Sequence, residues 1–377
     1  MLHANRARED AASRVAGRRS VRHHALPPRP SAVGEPTGAF PCMITLEDIQ
    51  AAATRIRSAC VHTPLVRLPS TTGEWFLKAE NLQETGAFKF RGATNAIRSL
   101  EPAQLASGVV TCSSGNHGRA VAMAAIVART TATIVMPDQA LAVKVAAIEA
   151  LGAQIVRVPF DERLAAAKEI SHQSGARFIS AYEDPRVIAG QGTIGLEILE
   201  DMPDVSTVVV PVGGGGLVAG VAVALKALNP HVRVIAVEPA NAGDLAESFR
   251  CGRRIRWPSE RTRQTIADGL RTESVGSANW SLIRSHVDDV ITVTEDEIAG
   301  AMRAIADHCH LVVEPSGGVA PAALIYGHVA AGARAVAIVS GGNVDLDSFL
   351  RIGGASQQGS VRPELGGGVT RDSPRGP

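Results

Sequence analysis

Lys89 has the surroundings a reactive amine needs. It lies in Lys78-Ala-Glu-Asn-Leu-Gln-Glu-Thr-Gly-Ala-Phe-Lys-Phe-Arg-Gly-Ala, between Phe88 and Phe90. Aromatic neighbours strip water from an ammonium, which lowers its pKa and turns it into a nucleophile or base. A surface lysine on an amphipathic helix is the other reading of this segment. Few residues compete for the role, because the chain has five lysines (Lys78, Lys89, Lys144, Lys168, Lys226) against 33 arginines. That scarcity reads as the codon bias of a G+C-rich genome.

Three further segments are rich in glycine and small polar residues. Gly213, Gly214, Gly215 and Gly216 follow the apolar run Thr207-Val-Val-Val and precede Leu217 and an Ala/Val/Leu stretch. Consecutive glycines let backbone N–H groups converge on an oxyanion, and a helix N-terminus adds positive potential. The segment is built as a phosphate cradle, a tight glycine turn without ligand being the alternative. Gly214-x-Gly216-x-x-Ala219, with Glu238 following 24 residues after Gly214, also satisfies a dinucleotide fingerprint. Ser113-Ser114-Gly115-Asn116-His117-Gly118 follows Val109-Val-Thr-Cys. Hydroxyls and amides there can hold a carboxylate, unless the segment is an ordinary Ser-capped helix start. Val339-Ser340-Gly341-Gly342-Asn343 again ends an apolar run. No G-x-S-x-G elbow is present, which disfavours a Ser-His-Asp hydrolase.

The elements that must position these segments alternate along the chain. Apolar runs at 109–112, 133–136, 154–158, 177–180, 207–210, 233–237 and 335–339 are predicted strands. Ala-rich stretches at 119–129, 143–151, 162–174 and 217–228 are predicted helices between them. Such alternation predicts parallel sheet covered by helices, and its extent suits two α/β domains. In parallel sheets ligands bind beyond the carboxyl ends of strands, so segments that each follow a strand converge on one site. A phosphate cradle, a desolvated lysine and a carboxylate clamp suit an amino-acid substrate and a phosphorylated aldehyde cofactor.

Composition narrows the class. The 38 basic and 37 acidic residues nearly cancel, and only 13 residues are aromatic. Neither an electrostatic footprint for nucleic acid or an anionic membrane nor a base-stacking platform is present. Val208 to Leu225 carries no charge, but Pro211 and the four glycines would break a membrane-spanning helix, so a buried strand, turn and helix are expected. Five scattered cysteines without a C-x-x-C argue against a disulfide framework, and a cytoplasmic protein is expected. His308-Cys309-His310 points its side chains in different directions if helical, which suits a metal site poorly. Residues 1–42, with seven Arg and repeated Pro, read as a disordered or non-native extension. Met43 then opens a helix signature with Thr45 as N-cap. From Gly353 to residue 377 the composition reads as a disordered tail.

Seven segments, in order, resemble the fold-type-II pyridoxal-phosphate enzymes, in particular the threonine/serine dehydratase and serine racemase group. They are Glu-Asn-Leu-Gln-x-Thr-Gly-Ala-Phe-Lys-x-Arg-Gly-Ala (80–93), Ser-Ser-Gly-Asn-His-Gly (113–118) and Ile-Ala-Gly-Gln-Gly-Thr-Ile-Gly-Leu-Glu (188–197). Pro-Val-Gly-Gly-Gly-Gly-Leu (211–217), Thr-Ile-Ala-Asp-Gly-Leu (265–270), Val-Glu-Pro-Ser-Gly (313–317) and Ser-Gly-Gly-Asn-Val-Asp (340–345) complete them. Together they outweigh the dinucleotide fingerprint, which leaves a nicotinamide-nucleotide protein using Gly214 to Ala219 as the distant alternative.

The resemblance implies a tryptophan synthase β-like architecture. Residues 43–107 and 185–352 would form a large cofactor-binding domain, and 108–184 a small mobile one. Each would hold a largely parallel sheet flanked by helices. It implies that Lys89 forms a Schiff base with pyridoxal 5'-phosphate, that Phe88 packs on the ring and that Asn116 meets the ring hydroxyl. Gly213 to Gly216 with Leu217 would hold the phosphate, and Ser340 would meet the pyridine nitrogen. Ser113, Ser114, Gly115, Asn116 and His117 would bind the substrate carboxylate, with Ser114 on the ring face opposite the lysine. Glu238, the Ala242 carbonyl and Asp244 match a divalent-cation site, for Mg2+ or a similar ion. Where the family often has Ala-Asp-Asp, this chain has Ala242-Gly243-Asp244. The implied reaction is α,β-elimination of a β-hydroxy amino acid, L-threonine or L-serine, giving a 2-oxo acid and ammonia. Serine racemization and dehydration of a 3-hydroxyaspartate-type acid are the alternatives. A small-molecule substrate, no nucleic-acid or membrane partner, and a homodimer are implied.

Overall fold

The computed structural model describes residues 44–140, 142–330 and 334–355. The extension expected over 1–42 lies outside the described residues, as does the tail beyond 355. A helix, Leu346–Ala355, spans Gly353, where the composition reads as tail. Phe349 and Ile352 of that helix pack on the core.

Among the described residues, ten strands form two sheets. They are β1 (Leu65–Leu68), β2 (Glu74–Ala79), β3 (Val109–Cys112), β4 (Ala132–Pro137), β5 (Gln154–Val158), β6 (Arg177–Phe178), β7 (Thr207–Pro211), β8 (Arg233–Pro239), β9 (Asp289–Val293) and β10 (Arg334–Val339). The larger sheet runs β1-β2-β10-β7-β8-β9 and the smaller β5-β4-β3-β6. Every pairing is parallel except β1 with β2. The alternation of strands and helices therefore meant what parallel sheet requires.

Both faces of the larger sheet are covered. On β7, Val208 and Val210 face one apolar cluster while Val209 faces the other; Val336 and Ile338 of β10 alternate with Ala335, Ala337 and Val339 in the same way. A strand buried on both faces reads as a continuous apolar run. The uncharged stretch from Val208 is thus a buried strand, a glycine turn and the buried helix Gly216–Leu228. Among the described residues no helix is long and apolar enough to cross a membrane. The first helix, Leu46–Ile56, starts where its signature predicts. Thr45 Oγ1 accepts from the Asp48 amide at 3.3 Å, and the Asp48 carboxylate accepts from the Thr45 amide at 2.9 Å.

The smaller sheet has its own apolar layer. Phe90, Ala93, Ala96 and Ile97 of the helix Lys89–Arg98 pack there beside Ala120, Val121 and Ile134. The helix that begins at Lys89 thus buries one face against the second sheet, although its residues precede that sheet in the chain.

Candidate active site

Register brings the functional segments together. Val339 of β10 pairs with Ala79 of β2, and Ala337 pairs with Val209 of β7. The chain beyond each of these strand ends therefore emerges on one side of the sheet. The Phe88 amide donates to the Ser340 carbonyl at 3.0 Å, and Ala87 forms a bridge with Gly341. The start of the lysine helix is stitched to the end of β10.

The Lys89 amine donates to the Ala181 carbonyl at 2.8 Å and lies 5.0 Å from the centre of the Phe88 ring. Burial disfavours the ammonium and pushes its pKa down to about 8. Of the two flanking aromatics only Phe88 is beside the amine, since Phe90 belongs to the second core.

The four glycines follow β7 directly. Gly215, at φ +87°, is the N-cap of the helix Gly216–Leu228 and no side chain caps it. A side chain is strained at that φ, which is why glycine stands there. The first amides of this helix are left for an anion. A Cβ on Gly214 would overlap the Tyr182 ring, and one on Gly216 would lie 2.9 Å from the Tyr182 carbonyl. Asn279 Nδ2 donates to the Tyr182 carbonyl at 2.8 Å and the Gly214 carbonyl at 2.7 Å, which holds the loop in place. The Leu217 side chain turns into the core.

The segment 113–118 has the same construction. The helix Asn116–Ala128 begins at Gly115 without a side-chain cap, so it is not the Ser-capped start considered above. Gly115 is exposed, and Ser113 Oγ accepts from its amide at 3.3 Å. His117 is buried, and its Nε2 lies 3.1 Å from the Ile179 carbonyl, so Nε2 carries the proton. Its Nδ1 is a buried acceptor without a partner. Burial, helped by the charge on Lys89, pushes the His117 pKa down to about 3, so the ring is neutral at ordinary pH. Asn116 Nδ2 donates to Glu314 at 2.7 Å, while its Oδ1 accepts from Asn343 at 2.8 Å.

Ser340 is buried and its hydroxyl donates to the Ser316 carbonyl at 3.1 Å. The Ser316 hydroxyl accepts from the Gly269 amide at 3.0 Å, and Leu270 Cα would lie 3.1 Å from a Cβ on Gly213. Ser340 and the cradle are therefore joined through residues 269, 270 and 316.

Glu238 and Asp244 converge at the end of β8, and both are buried. Glu238 accepts from the amides of Leu245 at 3.1 Å and Ala246 at 2.8 Å, so it caps the helix Asp244–Cys251. Asp244 Oδ2 has no partner. Burial and then the neighbouring Asp244 raise the Glu238 pKa well above the carboxylate range; burial raises Asp244 to about 7. Ala242 is buried in the turn Ala240–Ala242 between them. Among the described residues no three His, Cys, Asp or Glu side chains are placed to hold a metal, which leaves His308-Cys309-His310 without a site.

Sequence reasoning missed the turn 179–182, which touches the amine through Ala181, His117 through Ile179 and the cradle through Tyr182. Its one signal was that Tyr182 is among only two tyrosines in the chain. Glu314 and Asn343 fell within recognised segments yet were given no role. A cavity of about 870 Å³, lined by Thr111, Cys112, Arg163, Ala181 and Tyr182 among others, adjoins the site from the side of the smaller sheet. Neither Lys89 nor the four glycines line it.

Comparison with known proteins agrees with this geometry. The family described as pyridoxal-phosphate dependent enzyme matches residues 56–341. An L-threonine ammonia-lyase of Thermotoga maritima is 43% identical over 316 residues, covering 82% of this chain and 78% of its own. The catabolic L-threonine dehydratase of Escherichia coli is 41% identical over 320 residues, 82% of this chain and 96% of its own. The structure of maize serine racemase superposes with a TM-score of 0.76 at 38% identity, covering 82% of this chain and 97% of that one.

Proposed function

We propose a reaction for this chain from one premise: it belongs to the pyridoxal-phosphate dependent enzymes. The chain is a threonine/serine ammonia-lyase that converts L-threonine or L-serine into a 2-oxo acid and ammonia. The observation that carries this reading is a desolvated amine between two helix starts that no side chain caps. One start suits a phosphate and the other a carboxylate. The names of relatives above 40% identity support the same substrate class.

The residues fit the cofactor. Four glycines shape a cradle a Cβ would fill, and His117, close enough to Lys89 to feel its charge, keeps an orphaned Nδ1 acceptor. Gly213 to Gly216 and the Leu217 amide would hold the phosphate. Asn116, already oriented by Glu314 and Asn343, would meet the ring hydroxyl; Phe88 would lie on the ring and Ser340 at its nitrogen. When bound, pyridoxal phosphate supplies an electron sink for the charge left on Cα.

The chain's own groups do the rest. Ser113, Ser114, Gly115, Asn116 and His117 hold the substrate carboxylate at the start of their helix. The Lys89 amine, neutral above its lowered pKa, takes the Cα proton. The β-hydroxyl leaves as water once protonated, and the released unsaturated amine hydrolyses to the 2-oxo acid and ammonia. Neutral His117 orients without exchanging a proton. Ser340 brings no negative charge, which favours elimination over transamination.

The purified protein is expected to release 2-oxobutanoate from L-threonine and pyruvate from L-serine, with little D-serine on a chiral column. D-serine formed faster than pyruvate would favour the racemase reading. Hydroxyaspartate consumed in preference to both would favour the third.

We extend the reading to a homodimer, which rests on the family resemblance, and to the cytoplasm, which rests on five scattered cysteines without a disulfide framework. We also propose that 108–184 moves against the remainder, supported by its having a sheet of its own. The Glu238 and Asp244 carboxylates are further proposed to take a divalent cation with the Ala242 carbonyl. Two buried acids with one unpartnered oxygen are relieved by a positive charge. Magnesium is then expected to raise the melting temperature by several degrees, about 1 kcal/mol or more, and Glu238→Gln to remove that gain. Equal melting with chelator and with magnesium would remove the cation from the account.

A further inference from the structure

The helix Pro185–Asp201 contributes no group to the site, yet it packs directly on both helices that do. Against the lysine helix, a Cβ on Gly190 would lie 2.6 Å from Gly92 Cα, and one on Gly92 would lie 2.7 Å from the Val187 carbonyl. Against the cradle helix, a Cβ on Gly192 would lie 2.8 Å from the Gly220 carbonyl, and one on Gly220 would overlap the Ile188 carbonyl. Backbone meets backbone on both sides, with the Gln191 side chain also against Gly92 and Ile49 against Gly192, so the helices approach as closely as their main chains allow. The separation between the lysine helix and the cradle helix is set by this spacer.

A buried ionic cluster locks one side of it. Arg91 gives Nε and NH2 to the two oxygens of Glu80, each at 2.8 Å. It gives NH1 and NH2 to Glu197 of the spacer at 2.6 and 2.8 Å. Lys78 of β2 adds a contact to Glu197 at 2.8 Å. Arg91, Lys78 and Glu80 are 1%, 0% and 0% exposed. Apolar replacements of such a cluster are often as stable, so burial of Arg91, Lys78 and Glu80, with Glu197 and Asp201 paired to them, is poorly explained by stability alone. Arg91 lies two residues after Lys89, about 200° round the helix. Any rotation of the helix that loosens Arg91 swings the Lys89 amine relative to Ala181.

We propose that Arg91 and Glu197 are positioning residues, which with the Gly92–Gly190 contact set the distance and rotation of the Lys89 amine relative to the phosphate cradle. The inference rests on the reading of Lys89 and Gly213 to Gly216 given above. It holds that the amine and the cradle can each be intact while their span is wrong. Glu197→Gln weakens the Arg91 clamp but leaves Arg91 forked on Glu80 and buried Lys78 on Asp201 and the Thr63 carbonyl, so neither cation is left unpaired. Gly190→Ala changes the same spacing by inserting a methyl between the helices.

Full-length protein freed of cofactor is titrated with pyridoxal phosphate, followed by visible absorbance, and with inorganic phosphate as competitor for the cradle alone. Both variants are expected to bind pyridoxal phosphate about tenfold or more weaker, with phosphate inhibition shifted less than about threefold. Pyridoxal phosphate affinity unchanged, or both affinities falling by one factor, overturns the inference. Should Gly190→Ala not fold, Glu197→Gln decides alone. Wild-type absorbance that survives Lys89→Ala would instead sink the underlying reading, which separates the two failures.

Discussion

Replacing Lys89 with alanine is expected to abolish the visible absorbance of bound pyridoxal phosphate and to lower 2-oxo acid release by more than about 10³-fold. Among the lysines whose side chains are described, none offers a substitute. Lys78 is fully buried and held by Glu197, Asp201 and the Thr63 carbonyl. Lys226 is paired with Asp288 at 2.6 Å and donates to the Val232 carbonyl at 2.7 Å. Lys168 is exposed on the wall of the cavity, with no aromatic cover. The pH dependence has a definite sign. Below about 8 the Lys89 amine is protonated and donates to Ala181; above it the amine is neutral and nucleophilic. Cofactor uptake, followed by stopped flow, should therefore quicken about tenfold per pH unit below 8 and level off above. A flat profile would mean that another group limits uptake. The fold should survive the substitution, because alanine removes an amine whose ionised form burial already disfavours.

Replacing Gly118 with alanine should separate substrate binding from cofactor binding. In a helix interior alanine is favoured over glycine by about 1 kcal/mol, so propensity alone predicts a stabilised protein. Contact predicts the reverse, because a Cβ on Gly118 would overlap the Ser113 carbonyl and lie 3.2 Å from Ile134. Ser113 is backbone that cannot swing aside, so the start of the helix Asn116–Ala128 must move. A displacement near 1 Å at the carboxylate clamp is expected to raise KM for L-threonine about 100-fold, while the absorbance of bound cofactor stays. Unchanged KM would show that the carboxylate is held elsewhere.

What the chain revealed before folding follows from the range of each interaction. Glycine runs, the Ser113 to His117 segment and Lys89 carry local signals, because an anion cradle or a desolvated amine is built from neighbours in the chain. Strands β3 to β8 and β10 were legible from their apolar runs, β6 ending two residues earlier than its run. β1 and β2 were not, since Arg67 and Lys78 interrupt their apolar pattern, and β9 was not because its apolar run is only Val290-Ile291 before Thr292. Lys78 is buried because Glu197 and Asp201, far along the chain, neutralise it. The same reason hid the Arg91 cluster and the turn at Ala181 and Tyr182, whose roles come from partners about 90 to 100 residues away. Phe90 shows the converse error of reading locally: it flanks Lys89 in the chain but serves the second core.

The central claim is that Lys89 drives elimination from a hydroxy amino acid. Its most direct test is to incubate the holoenzyme and Lys89→Ala with L-threonine and quantify 2-oxobutanoate and ammonia together. The two products are expected in equal amounts from the wild type and neither from the variant. Equal activity of the two proteins, or threonine consumed without ammonia, would contradict it.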